Sequence, residues 1–156
     1  MKKCNRCVYC SYVQTGNHAK SSASHYHHEI TQNVNCTTSN VIYLITCQKC
    51  DAQYVGETDR KLKDRFAEHQ GYVRNKILSK ATGQHFNESG HRLRDMKVRI
   101  LEQIQNKDPL FRKTREKMFI NKFNTKSKGM NKISWHNCIA ISFKKNNYGF
   151  FLVAKF

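Results

Sequence analysis

Residues 40–58 read NVIYLITCQKCDAQYVGET, two β-branched and aromatic runs joined by a short connection that holds Cys47-x2-Cys50. In the first run Val41, Tyr43 and Ile45 alternate with Ile42, Leu44 and Thr46. All six suit a pleated surface, so the run predicts a strand buried on both faces. Gln53 to Glu57 is its expected hairpin partner. With the hairpin centred between Gln48 and Lys49, Tyr43 and Tyr54 lie opposite one another and two phenols converge. Strand tyrosines taken alone are most often packing residues. Gly56, at the end of the second run, marks a bend or the close approach of another backbone.

Downstream, Thr58 or Asp59 offers an N-cap for a helix through about Asn75, with Leu62, Phe66, Val73 and Ile77 at helical spacing. Gln84 to His91 predicts a short helix or turn closed by Gly90, and Val98, Ile100 and Ile104 predict a strand between about Lys97 and Gln105. Pro109 fits the first turn of a further helix that runs to about Phe123, with Phe119, Ile120 and Phe123 on one side. The expected order is strand, strand, helix, short helix, strand, helix. Upstream, residues 1–36 carry four of the seven cysteines and a Ser/His-rich stretch, His18 to His28, that reads as a ligand-bearing loop with little regular structure. Beyond Ser134, Ile139–Phe143 and Tyr148–Val153 are strand-like runs separated by residues 144–147, an appended hairpin. The predicted organisation is a Cys/His-rich extension (1–36), a catalytic-type domain (37–132) and a tail (133–156).

At 156 residues and 38% hydrophobic, the chain can bury one modest core. It carries 28 Lys plus Arg against 11 Asp plus Glu, a formal charge of +17 that favours a polyanionic partner, usually nucleic acid. No apolar run approaches the ~20 residues of a bilayer span, and no apolar segment of signal type follows Met1. A basic amphipathic anchor helix is also missing, so a membrane partner is not expected. An odd number of tightly spaced cysteines points to metal in a reducing, intracellular compartment rather than to a disulfide framework.

Arg65 and His69 lie four apart and share a helix face bordering the Leu62/Phe66/Val73 stripe, so both can reach one ligand. The pair suits phosphodiester hydrolysis: a guanidinium neutralises charge developing on phosphorus, and an imidazole moves protons near neutral pH. A solvated Arg–His pair is the plainer alternative. Glu116 falls on the same face as Phe119, Ile120 and Phe123, where a carboxylate needs a partner, either a metal ion or an arginine such as Arg112. A single inward carboxylate is enough to anchor Mg²⁺, which fills its shell with water and phosphate. Cys47-x2-Cys50 and His85-x5-His91 supply a paired Cys2His2 zinc pattern, expected to pin the hairpin to the short helix. Cys4, Cys7 and Cys10, with Cys36 as a fourth ligand, suggest a second zinc site, for which His18, His25, His27 and His28 are rivals. Closed four-ligand zinc is structural.

Val41-Ile42-Tyr43, Tyr54-Val55-Gly56, Arg65, His69, Glu116 and Gly129-Met130-Asn131, in this order and spacing, resemble the GIY-YIG nuclease superfamily. Residues 40–50 followed by Tyr54–Thr58 look like the endonuclease domain at the C-terminal end of Penelope-like retroelements. The resemblance covers roughly residues 36–132, with Val41 and Val55 departing from the motif Gly and Ile. It implies an α/β (α+β) fold with a small three-stranded antiparallel sheet flanked by helices and a zinc-binding N-terminal extension. It further implies a DNA endonuclease in which Glu116 holds one Mg²⁺ or Mn²⁺ and Arg65 contacts the scissile phosphate. Tyr43 would help deprotonate the attacking water, positioned by Tyr54 and His69, and Asn131 would support the site. A tyrosine at its ordinary pKa of ~10 is a poor base at neutral pH, so the role requires nearby positive charge, and His69 is the rival base. The setting implied is retroelement insertion, with a reverse transcriptase as partner and a nuclear location. From a different class, a zinc-stabilised nucleic-acid-binding module without catalysis has the same charge and cysteines; the filled catalytic positions favour the enzyme. Oligomeric state and target sequence are not encoded in these motifs.

Overall fold

The computed structural model describes residues 1–131, 144–146 and 149–151. In chain order its elements are a 3-10 turn at Val8–Tyr12, β1 (His18–Lys20), β2 (His27–Glu29), β3 (Val41–Cys47), β4 (Gln53–Thr58), α1 (Leu62–Arg74) and α2 (Ala81–His85). A 3-10 turn at Leu93–Asp95, β5 (Met96–Gln103), α3 (Pro109–Phe123), β6 (Lys144–Asn146) and β7 (Gly149–Phe151) follow. β3 runs through the middle of a three-stranded antiparallel sheet of order β4-β3-β5, and each of its residues is buried. The two-sided burial follows from the run of apolar residues without polar alternation.

The hairpin register differs from the one expected. Tyr43 pairs with Gly56 and Ile45 with Tyr54, so the centre falls between Lys49 and Cys50. The cause is the connection itself: the Cys47 amide donates to Ala52 O at 2.9 Å and the Asp51 amide donates back to Cys47 O at 2.9 Å, with Asp51 in the left-handed region at φ 58°. A knuckle that brings Cys47 and Cys50 together is longer than a two-residue turn and shifts the register. Tyr43 and Tyr54 are diagonal neighbours on one face rather than opposite partners, with ring centroids 6.5 Å apart.

α1 begins later than expected, because neither Thr58 nor Asp59 caps it. Thr58 Oγ1 instead accepts from the Arg60 amide, and the first helical amides, of Leu62 and Lys63, donate to Thr38 O and Cys36 O at 2.9 Å each. Loop carbonyls do the work of a cap side chain. Leu62, Phe66 and Val73 are buried as the stripe predicts, whereas Ile77 lies beyond the helix and is exposed. α2 starts at Ala81, before the predicted Gln84, and a turn with Gly90 at φ 83° closes the segment. α3 has the predicted bounds: Pro109 opens it, the Asp108 carboxylate accepts from the Leu110 amide at 2.9 Å, and Asn124 ends it in the left-handed region.

The N-terminal segment is more ordered than its composition suggests. β1 and β2 pair as a small hairpin, and Met1, Val13, Ala19, Ile30, Val34 and Cys36 are buried in the same core cluster as the sheet. The segment also covers the outer edge of β5. Gln14 donates to Val98 O at 3.0 Å, Ile100 donates to Met1 Sδ at 3.2 Å, and the Gln32 side chain exchanges two bonds with Gln103, of 2.6 and 2.9 Å. An open strand edge is a template for unwanted pairing, and this strap closes it. The serines of the hairpin loop reach the other way: Ser21 and Ser24 hydroxyls donate to Phe123 O and Lys122 O at 2.8 Å each, satisfying carbonyls at the end of α3.

β6 and β7 pair antiparallel, Lys144 with Phe151. Here the first strand occupies the residues expected to be the connection, and the predicted run Ile139–Phe143 lies outside the described residues. Among the described residues no helix is long and apolar enough to cross a membrane.

Candidate active site and metal centres

The Tyr43 hydroxyl sits 2.7 Å from His69 Nε2 and accepts from Arg65 Nε at 3.1 Å; His69 Nδ1 lies 2.9 Å from Thr82 Oγ1. Because Arg65 can only donate, the Tyr43 O–H is left to donate to Nε2, which puts the imidazole proton on Nδ1 toward Thr82. One buried polar chain thus links β3, α1 and α2. Glu68 fixes Arg65 from one turn along the helix at 2.5 Å and also holds Arg60 at 2.5 Å, while the Tyr72 hydroxyl accepts from Arg65 at 3.4 Å. Burial alone would raise the Glu68 pKa, but the hydrogen bonds from Arg60 and Arg65 outweigh it and hold the carboxyl below its ordinary range.

Burial decides protonation in the inner part of the site. Tyr43 is wholly shielded, and its pKa is pushed well above 10 by desolvation and then by Tyr54, with Arg65 opposing. His69 is pulled down to about 3 by burial and by the Arg65 charge. At neutral pH both are uncharged. Tyr54, Arg65 and Glu116 form the half-buried rim of the group. The Tyr54 pKa is raised by burial and by the charge of Glu116, against the pull of Arg65.

Glu116 has no ion pair among the described residues, and its pKa is raised to about 7 by burial first and by the charge of Glu57 second, with Arg65 and Lys113 opposing. Arg112, the arginine expected as its alternative partner, is bound to Glu57 and donates to Asn40 Oδ1 at 2.8 Å. A carboxylate left short of positive charge, close enough to Arg65 and the tyrosines to influence them, fits a divalent cation. Asn131 is at the free edge of β4, where its amide exchanges two bonds of 2.7 Å with the Val55 backbone. It stands in for a missing strand neighbour and braces Tyr54 and Gly56 from the side.

Gly56 faces Tyr43 across the hairpin for a steric reason: a Cβ there would lie 2.5 Å from Tyr43 Cζ and Oη and 2.8 Å from Tyr54 Cε1. Gly56→Ala is expected to displace the Tyr43 ring from both Arg65 and His69. Overpacking of this kind costs about 1–3 kcal/mol. Thermal melts and near-ultraviolet tyrosine dichroism check it; an unchanged melt and spectrum would mean that the rings have room to move.

Both predicted metal groups come together. The thiols of Cys4, Cys7, Cys10 and Cys36 lie within 4.8 Å of one another, with Sγ separations of 3.4–3.6 Å in the hydrogen-bonded pairs. Four sulfurs around one zinc at 2.3 Å stand roughly 3.8 Å apart, so the cluster has about the size of such a shell. His18, His25, His27 and His28 are not in it; His28 instead bonds Leu101 O at 2.9 Å and Tyr26 at 3.2 Å. Cys47, Cys50, His85 and His91 form the second group, with Cys50 Sγ 3.5 Å from His85 Nε2. His91 is telling, since both its ring nitrogens are buried with no hydrogen-bond partner. Lys49 reaches Gly90 O beside this group, so the hairpin and the α2 turn meet there.

Sequence reasoning missed Thr82, Glu68 and Glu57. Glu68 was accessible from its i,i+3 spacing to Arg65. Thr82 and Glu57 act through contacts that only the fold creates.

A family model of the GIY-YIG catalytic domain matches residues 39–131. No curated protein and no solved structure is significantly similar to the chain.

Proposed function

Because the chain belongs to the GIY-YIG catalytic domain family, a family of nucleases, we propose that it is a metal-dependent DNA endonuclease that hydrolyses phosphodiester bonds. The setting proposed is the nucleus, as the endonuclease of a Penelope-like retroelement that nicks target DNA for a reverse transcriptase. The observation that carries the activity is the Arg65–Tyr43–His69–Thr82 chain lying behind a charge-starved Glu116.

In this reading Arg65, held by Tyr43 and Glu68, presents its guanidinium to the scissile phosphate and offsets the charge that builds on it. Glu116 holds Mg²⁺ or Mn²⁺, which when bound neutralises phosphate charge and acidifies water. Tyr54, on the half-buried rim, positions the attacking water, and His69 acts through the Tyr43 hydroxyl that it holds. Tyr43 accepts the water proton as a phenolate, which the Arg65 guanidinium at its oxygen and the charge of a bound metal would favour against the cost of burial. In a pH–rate profile, loss of the acidic limb in His69→Ala would make His69 the base instead. The four-thiol group and the Cys2His2 group hold structural zinc.

The test is nicking of supercoiled plasmid by purified protein with Mg²⁺ or Mn²⁺, set against the same protein with chelator. Metal-dependent nicking is expected. Salt-sensitive DNA binding without cleavage under either ion would make the chain a zinc-stabilised binding module.

A further inference from the structure

On the sheet face opposite Tyr43, a groove of about 960 Å³ runs between the start of the N-terminal hairpin and the β3–β4 loop. Leu44 and Thr46 point to this face because strand side chains alternate. Lys20 and Lys128 stand exposed on its walls and Arg99 is half-buried in it. None of the three is paired with a carboxylate among the described residues, and Asp51 is the one acid on the walls.

Arg99 is the least satisfied of them. One terminal nitrogen donates to Thr15 O at 2.9 Å, but Nε is buried without a partner, and burial lowers the pKa with no carboxylate to offset it. A half-buried guanidinium with a spare donor, flanked by two free ammonium groups, is short of an anion.

The lining decides which anion. It contains no Phe, Tyr or Trp ring on which a base could stack and one imidazole, of His18, while its cations, hydroxyls and amides suit phosphate oxygens. An excess of basic residues over the whole chain draws in a polyanion rather than a small one. We infer that this groove holds the phosphodiester backbone of a stretch of DNA away from the bond being cut. The inference rests on the nuclease reading for its choice of polyanion. β4 joins the two surfaces, since Tyr54 turns toward the catalytic group and the adjacent Gln53 toward the groove.

The experiment measures binding of the full chain to a duplex of about 40 base pairs over a salt series in metal-free buffer, comparing wild type with Lys20→Gln/Lys128→Gln. The double variant is expected to bind roughly tenfold more weakly near physiological salt, with the slope of log K against log salt shallower by about 2. Lys3→Gln/Lys107→Gln removes the same charge from elsewhere and is expected to leave the slope in place. Equal slopes for wild type and the groove pair, or equal losses for the two pairs, would overturn the groove and leave only net charge. The two proposals fail separately. Weakened binding in the groove pair, with no plasmid nicking by the wild type, removes the nuclease reading and keeps the groove; nicking with unaltered binding does the reverse.

Discussion

Glu116→Gln is expected to lose cleavage by at least about a thousandfold while unfolding at a higher temperature than the parent in metal-free buffer at pH 8. Both effects have one source. The folded-state pKa of about 7 is above the ordinary carboxylate value, so between roughly pH 4.5 and 7 the folded protein binds more protons at this position than the unfolded chain does. Stability contributed by the protonated carboxyl is therefore present at low pH and lost as pH rises through 7. Above that point the ionised group is a liability that burial and Glu57 create. Glutamine keeps the shape and discards the charge, which relieves the liability and removes the anion that would hold a divalent cation. Mg²⁺ should accordingly raise the melting temperature of the wild type more at pH 8 than at pH 6, and should not raise that of Glu116→Gln. Cleavage by the variant within tenfold of wild type would take Glu116 out of the site.

Cys36→Ser is the substitution expected to damage the fold most. Cys36 belongs to the four-thiol group, is 1% exposed, and its carbonyl accepts from Lys63 at the start of α1. The same thiol group anchors the turn whose Tyr9 and Tyr12 pack on Phe66 of α1, at 6.0 and 5.6 Å between ring centroids. With zinc bound there as proposed, losing one ligand would loosen the N-terminal strap from both α1 and β5, and α1 is the helix that carries Arg65 and His69. A loss of about 3–5 kcal/mol, or roughly 10–20 °C in melting temperature, is expected, together with release of one zinc per chain. Strong chelators should release two zincs from the wild type and one from the variant, and should destabilise the wild type by at least as much as the substitution does. Wild-type stability in Cys36→Ser with zinc content unchanged would show that the thiols are only neighbours.

The contrast between these regions shows what the sequence could disclose. The start of α3 was legible because Pro109 acts locally, within the first turn of its own helix. The closely spaced cysteines of both groups were legible because Cys-x2-Cys is a short-range signature. The hairpin register was not, since it depends on the geometry of the Cys47–Ala52 knuckle, and the alternation pattern is unchanged by a shift of two residues. The serines and histidines from His18 to His28 read as a loop because their partners, Phe123 O, Lys122 O and Leu101 O, are remote in the chain. Among the site residues, Arg65, His69, Tyr43 and Tyr54 do converge, while the neutral state of Tyr43 and His69 follows from burial, which residue identity does not give.

The strap over β5 also sets the order in which the molecule can be assembled. Met1 meets Ile100 and Ser21 meets Phe123, contacts that close loops of 99 and 102 residues. During synthesis, the strap residues must wait for segments about a hundred positions further along before they have a surface to lie on. Docking of the strap is then a late and topologically slow event, because long loops must close before their contacts reward them. Until it happens, the β5 edge lies open and the growing chain is at its most vulnerable to self-association. Refolding followed by hydrogen exchange should show the amides of Gln14 and Ile100 acquiring protection after those of the β3–β4 hairpin.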